Sequence, residues 1–121
     1  MLDANACIYL LSNNNPALTR RIAQCDAGSL FISAVVFAEV ALGSAQGKPP
    51  SRQLLEAFLS EVPMLPFDEA AARAYATLKF RRGSFDRLIA AHALSLGFTL
   101  VTANAADFAD VPGLLVEDWT Q

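Results

Sequence analysis

Four acidic side chains of this chain sit where acids are expensive. Asp3 lies in "MLDANACIYLL", Glu39 in "SAVVFAEVALG", Asp86 in "GSFDRLIAAHALSLG" and Asp107 in "LVTANAADF", in or beside the most hydrophobic stretches of the 121 residues. A buried carboxylate without a partner costs several kcal/mol or takes up a proton. Glu39 is the sharpest case. Its neighbours three and four residues away are Val35, Val36, Leu42 and Gly43, so its own helix offers it no cation. A metal ion would remove the cost. Carboxylates with no Cys or His at ligand spacing select a hard divalent cation, Mg²⁺ or Mn²⁺. Such an ion coordinates phosphate oxygens, lowers the pKa of a bound water and stabilises charge in an in-line displacement. A ring of acids beside a small basic stretch therefore points to phosphodiester hydrolysis.

Each acid except Glu39 also has a plainer reading. Asp3 could cap a helix beginning at Ala4, and Asp86 could cap the helix of "RLIAAHAL". Asp107 could be a solvated turn residue. The basic stretch is "KFRRGSFDR", which holds Lys79, Arg81, Arg82 and Arg87. Its cations could belong to a solvated helix end, favoured by the C-terminal dipole. His92, on an Ala-rich face six residues beyond Asp86, reads as a packed or supporting residue rather than a base. Other chemistries lack their parts. No glycine-rich phosphate loop precedes a helix. Ser33, Ser44 and Ser84 have no nucleophile-elbow context, and His92 would be the only triad base. A phosphoaspartate mechanism would want a second acid at position 5, which is Asn.

The elements that must position these residues alternate between strand and helix. "MLD" reads as a very short strand running into a helix over "NACIYLL". "NNNP" is a turn, and "PALTRRIAQC" is a helix with proline in its first turn. "SLFIS" reads as a buried strand, and "AVVFAEVALGSAQ" as a helix with Ser33 at its N-cap. "GKPPS" is a loop. "SRQLLEAFLSEV" is helical, with Leu54, Leu55, Phe58, Leu59 and Val62 at helical spacing. "PMLPF" is extended. "DEAAARAYATLKFRR" is a helix that starts on an acid and ends in cations. "FDRLIAAHALSLG" is a helix closed by Gly97. "FTLVT" and "LLVEDW" are strands, with a short helical turn at "ADF". This pattern predicts a single α/β domain over 1–121, with a central, mostly parallel sheet flanked by helices. Ligands of such sheets gather outside the carboxyl ends of the strands. Asp3, Glu39, Asp86, Asn104 and Asp107 are all placed to meet there.

Composition narrows the setting. Hydrophobic residues make up 54% and charged residues 17% of the chain, against a typical charged share of roughly 25%. A small domain so poor in charge is expected to meet a partner, another copy of itself or both. Net charge is −3, the wrong sign for gripping nucleic acid by bulk charge. The start has no basic secretory pattern, no apolar run approaches the ~20 residues of a membrane span, and Cys7 and Cys25 read as reduced thiols. A cytoplasmic setting without a membrane is expected.

Taken together, "MLDANACIYLL", "ISAVVFAEVALG", "FDRLIAAHALSLGFTLVTANAADF" and "VPGLLVEDW" resemble a PIN-domain ribonuclease of the VapC toxin type, in order and nearly from end to end. "DRLIAAHALSLGFTLVT" followed by the Asn and Asp-Phe of "NAADF" is the most specific part. The resemblance implies a PIN-like fold and Mg²⁺-dependent cleavage of RNA such as tRNA, with Mn²⁺ able to substitute. It assigns Asp3, Glu39, Asp86 and Asp107 as catalytic, metal-binding acids. It places Asn5, Thr102 and Asn104 in support by hydrogen bonding, and water activated at the ion would leave a 5′-phosphate and a 3′-hydroxyl. It further implies a homodimer held inactive by a small antitoxin, through which alone operator DNA is met. Arg81, Arg82 and Arg87 are candidate RNA contacts, and Arg87 could instead pair with a carboxylate. Three positions depart from the pattern. Val36 stands where many relatives carry a hydroxyl, Arg87 where an apolar residue is common, and Asn104 supplies one charge fewer than Asp. The alternatives are a PIN-like module that binds RNA or an operator complex without cutting, and a domain whose acids are only caps.

Overall fold

The computed structural model describes residues 1–80, 82 and 84–121. Among them six helices surround a parallel sheet whose strands are very short. Leu2 is followed by helices α1 (Ala4–Ser12) and α2 (Pro16–Ala23), strand β1 (Ile32–Ser33), and helices α3 (Ala34–Ala45) and α4 (Arg52–Leu59). Then come β2 (Met64–Leu65), α5 (Glu69–Tyr75), α6 (Phe85–Leu96), β3 (Leu100–Val101), a 3₁₀ turn (Ala105–Phe108) and β4 (Val116–Glu117). No helix among the described residues is long and apolar enough to cross a membrane.

β1 pairs with β2 and β3 with β4, both in parallel, and Leu2 bridges Ile32 on one side and Val101 on the other. The order across the sheet is therefore β2, β1, Leu2, β3, β4. The chain winds outward from Leu2 through β1 to β2, then crosses back to β3 and winds outward the other way. The reversal lies between Leu2 and β3, where the Asp3 amide donates to Val101 O at 3.0 Å and the Val101 amide to Met1 O at 2.8 Å. A reversal of this kind opens a crevice at the carboxyl ends of the strands.

The strands are shorter than the apolar runs predict because two of them end on helix caps. Asp3 Oδ1 accepts from the Ala6 amide at 2.8 Å, and Ser33 Oγ from the Val35 amide at 3.1 Å. Each apolar strand residue is thus followed at once by a polar residue that turns the backbone into a helix. Beneath them Leu2, Ile32, Leu100, Ile89, Val36 and Leu18 are fully buried. Gly97 ends α6 in the left-handed region, at φ 68°, a conformation glycine adopts without penalty.

Two helix boundaries differ from the sequence reading. α5 stops at Tyr75 and does not run on to its cations. The Thr77 amide and hydroxyl both donate to Ala74 O, at 3.1 and 2.7 Å, taking the acceptor that another helical turn would need. Lys79 and Arg82 therefore do not sit on a helix C-terminus, and the dipole explanation does not apply to them; Arg81 lies outside the described residues. At α6 the cap is Ser84, whose Oγ accepts from the Arg87 amide at 3.4 Å, and Asp86 lies two positions further, in the first turn. Asp86 is not the cap.

Candidate active site

The crevice collects acids from four separate elements. Asp3 follows Leu2, Glu39 stands on α3, Asp86 opens α6 and Asp107 lies in the 3₁₀ turn after β3. They are close enough to act on one another electrostatically. Burial raises the Asp3 carboxyl above its usual range, and the charges of Asp86 and Asp118 push it the same way. Hydrogen bonding to Thr102 and to the Ala6 amide opposes the rise. Burial also raises Glu39, helped by Asp86 and Asp3. Asp86, on the more open rim, is raised by partial burial and then by Asp107. Like charges held together in a partly dry site disfavour their ionised forms.

Glu39 carries the clearest sign of something absent. Its Oε1 is buried and has no hydrogen-bond partner among the described residues. The donors around it are carboxylates, so a hard divalent cation fits the set where a soft metal would not. Among the described residues no three acidic, Cys or His side chains are gathered tightly enough to clamp an ion as they stand. The acids raise one another's pKa, and a cation placed among them would relieve that repulsion.

The supporting residues divide. Thr102 is fully buried at the end of β3; its hydroxyl accepts from the Asn104 amide at 3.0 Å while it serves Asp3. Asn104 acts through its backbone, since its amide meets Thr102, its carbonyl accepts from the Asp107 amide at 3.0 Å and its side chain caps nothing. Asn5 is exposed, with no side-chain hydrogen bond among the described residues. His92 is buried, with Nδ1 2.8 Å from Ser33 Oγ and its ring edge-on to Phe67. Burial lowers its pKa against the pull of Asp68, as suits a packed neutral imidazole. Cys7 is no nucleophile: burial pushes its thiol up to about 12.

Arg82 is exposed, whereas Arg87 is only 2% exposed and pairs with Asp110. Arg87 therefore cannot be an RNA contact, because its guanidinium is packed inside the protein. Asp118 is the residue the sequence reading missed. It directly follows β4, so its register matches that of Asp3 and Thr102 at the ends of their strands, and its charge reaches Asp3. The Thr120 hydroxyl and amide both donate to it and hold its own pKa down.

A parallel sheet with acids from four elements at its carboxyl edge is matched by a known family. The PIN domain matches residues 1–114. The chain belongs to the PIN-domain family. Within that family its relatives are VapC ribonucleases. It is 38% identical to the tRNA(fMet)-specific endonuclease VapC of Shigella flexneri, over 99% of this chain and 97% of that one. It is 32% identical to Ribonuclease VapC1 of Haemophilus influenzae strain R2866, over 100% and 98%. Among solved structures, VapBC-1 from nontypeable Haemophilus influenzae superposes with a TM-score of 0.84 at 32% identity, covering 100% of this chain and 98% of that one. VapBC2 from Rickettsia felis, bound to a DNA fragment from its promoter, gives 0.83 at 28% identity, covering 98% and 97%. The PIN fold and VapC kinship expected from the motifs are thus established over the whole chain.

Proposed function

We propose that this VapC-type PIN domain is the endoribonuclease toxin of a toxin–antitoxin pair, hydrolysing RNA phosphodiester bonds with a divalent ion held by Asp3, Glu39, Asp86 and Asp107. The observation that carries the reading is the buried, unpartnered Oε1 of Glu39 among acids that raise one another's pKa. Bound Mg²⁺, or Mn²⁺ in its place, would supply an activated water and offset charge on the phosphate. The chain's own residues orient that chemistry. The Ala6 amide and Thr102 fix the direction of the Asp3 carboxyl. Thr102 and the Asn104 backbone hold the turn that bears Asp107. Asp118 adds negative charge behind Asp3 and strengthens the site's preference for a cation. Arg82, exposed near the start of α6, and its neighbour Arg81 are assigned to RNA phosphate.

A net charge of −3 leaves RNA to be chosen by shape and a few contacts. The tRNA(fMet) named for the Shigella relative is the first substrate to try. Among the solved relatives, VapBC2 of Rickettsia felis is bound to a promoter DNA fragment and VapBC of Salmonella typhimurium to DNA, so a small antitoxin is the proposed inhibitor, with operator DNA reached only through it. Exposed Leu42, Phe80, Phe85 and Leu115 supply apolar surface for a homodimer and for that partner. The proposed place of action is the cytoplasm. The test is incubation of purified, partner-free protein with tRNA(fMet) and with total RNA over graded Mn²⁺, beside Asp86→Asn. Metal-dependent fragments with 5′-phosphate ends, absent in the variant, are expected. A folded protein that binds Mn²⁺ yet cuts nothing would leave a non-catalytic binding module.

A further inference from the structure

Arg87, displaced from the RNA surface by its burial, stands between two of the acids. It lies in the first turn of α6, directly after Asp86, and its Nη2 pairs with Asp110 Oδ2 just beyond the 3₁₀ turn. Asp110 follows Asp107 by three residues. The pair therefore joins the two pieces of chain that present Asp86 and Asp107, whose charges oppose each other across the crevice. A cation between the two segments offsets that repulsion. Arg87 is a buried cation that spans the two segments.

Stability alone is a weak reason for such a pair. Removing two charges from water costs about as much as their attraction returns, and apolar residues of similar volume often serve as well. An arginine–carboxylate contact offers direction instead, because the planar guanidinium fixes where its partner sits. Arg87 Nη1 is buried and without a hydrogen-bond partner among the described residues, so the site is not tuned for maximal stabilisation. We propose that the Arg87–Asp110 pair is a positioning clamp, setting the separation of Asp86 and Asp107 and through it the affinity of the acids for a divalent ion. This inference rests on the metal reading above. Neither residue needs to touch the substrate.

The experiment is calorimetric titration with Mn²⁺ alone, on the full chain and on variants whose circular dichroism matches it. Asp110→Asn is the first variant, since Asp110 lies at the surface and its loss disturbs the core least. A drop in Mn²⁺ affinity of about five-fold is expected, with KM for RNA at saturating Mn²⁺ unchanged. Asp110 has a further interaction of its own, so the same substitution is repeated in an Arg87→Gln background, where it should change affinity no further. Arg87→Lys, which keeps the charge but not the planar fork, should fall between parent and Arg87→Gln. If Asp110→Asn does not fold, Arg87→Gln and Arg87→Lys decide the question on the same scale. A folded variant lacking the pair but binding Mn²⁺ as tightly as the parent overturns the clamp and leaves the metal reading standing. A parent that binds no Mn²⁺ overturns both.

Discussion

Acids at two places in this molecule are treated in opposite ways. On the outer surface of α5, Glu69 is largely exposed, pairs with Arg73 at 3.0 Å and sits in the first helical turn, where negative charge is welcome. At the carboxyl edge of the sheet, Asp3, Glu39 and Asp86 are wholly or partly enclosed and face one another. Their pKa values rise, whereas a paired acid's would fall. The surface acid fits the protein as it stands. The edge acids fit a protein with something added. A fold tolerates such a cluster when the region beneath it is well packed, and here the apolar floor lies one residue away: Leu2 before Asp3, Ile32 before Ser33, Val101 before Thr102.

The edge acids matter most to catalysis. Asp86→Asn removes one edge carboxylate and should lower RNA cleavage about 1000-fold or more, near 4 kcal/mol of transition-state stabilisation. Glu69→Gln should leave cleavage unchanged. Both are measured on purified protein with tRNA(fMet) at fixed Mn²⁺. An Asp86→Asn enzyme with parental activity would remove Asp86 from the site. Next in size is the ion's effect on stability. Mn²⁺ at 100 times its dissociation constant should stabilise the parent by about 2.7 kcal/mol and the Asp86→Asn variant by much less. Thermal melting with and without the metal checks it, and equal shifts in the two proteins would place the ion elsewhere.

Which of these features were legible beforehand follows from the length over which each signal acts. Helices announce themselves over eight or more residues, so α1, α3, α4 and α6 were readable, and Glu39 was conspicuous because its whole helical neighbourhood is apolar. The strands were located but overestimated. Their pairing is two residues long, and only the caps at Asp3 and Ser33 show where it must end. The early stop of α5 depends on a Thr77 hydroxyl, a contest between two donors for one carbonyl that periodicity does not register. Of the two roles open to Arg87, a carboxylate pair or an RNA contact, the pair holds; its partner, Asp110, was not readable because it is 23 residues away. Asp118 was readable in principle. It stands after β4 as Asp3 stands after Leu2, but it sits among the polar residues of "VEDW", where an acid draws no attention.

Glu39 itself can be neutralised in the metal-free protein. Its folded pKa lies above the ordinary value of 4.5, raised first by burial and then by Asp86 and Asp3. The ionised form is therefore penalised on folding. The penalty is absent below 4.5, grows as pH rises above it, and is complete once pH has passed the raised folded value. Glu39→Gln should raise the melting temperature of the metal-free protein at pH 7, and the gain should vanish in acid. Melting curves at several pH values in the presence of a chelator measure this. A variant less stable than the parent at pH 7 would mean that Glu39 has a cation in the folded protein after all.

The same substitution at Glu69 should act with the opposite sign and a smaller size. Glu69→Gln loses an ion pair spaced four residues apart and a favourable charge in the first turn of α5, together about 0.5 kcal/mol at low salt. Both side chains of that pair are mostly exposed, so salt should screen most of the loss within the physiological range. Screening should change the Glu39 result less, because the enclosed carboxylates repel through protein as well as through water. A salt series of melting temperatures for the two variants thus tests whether the edge acids are held apart from solvent. If Glu39→Gln and Glu69→Gln respond to salt alike and with the same sign, the carboxyl edge is an ordinary wet surface, and the case for a cation site there fails.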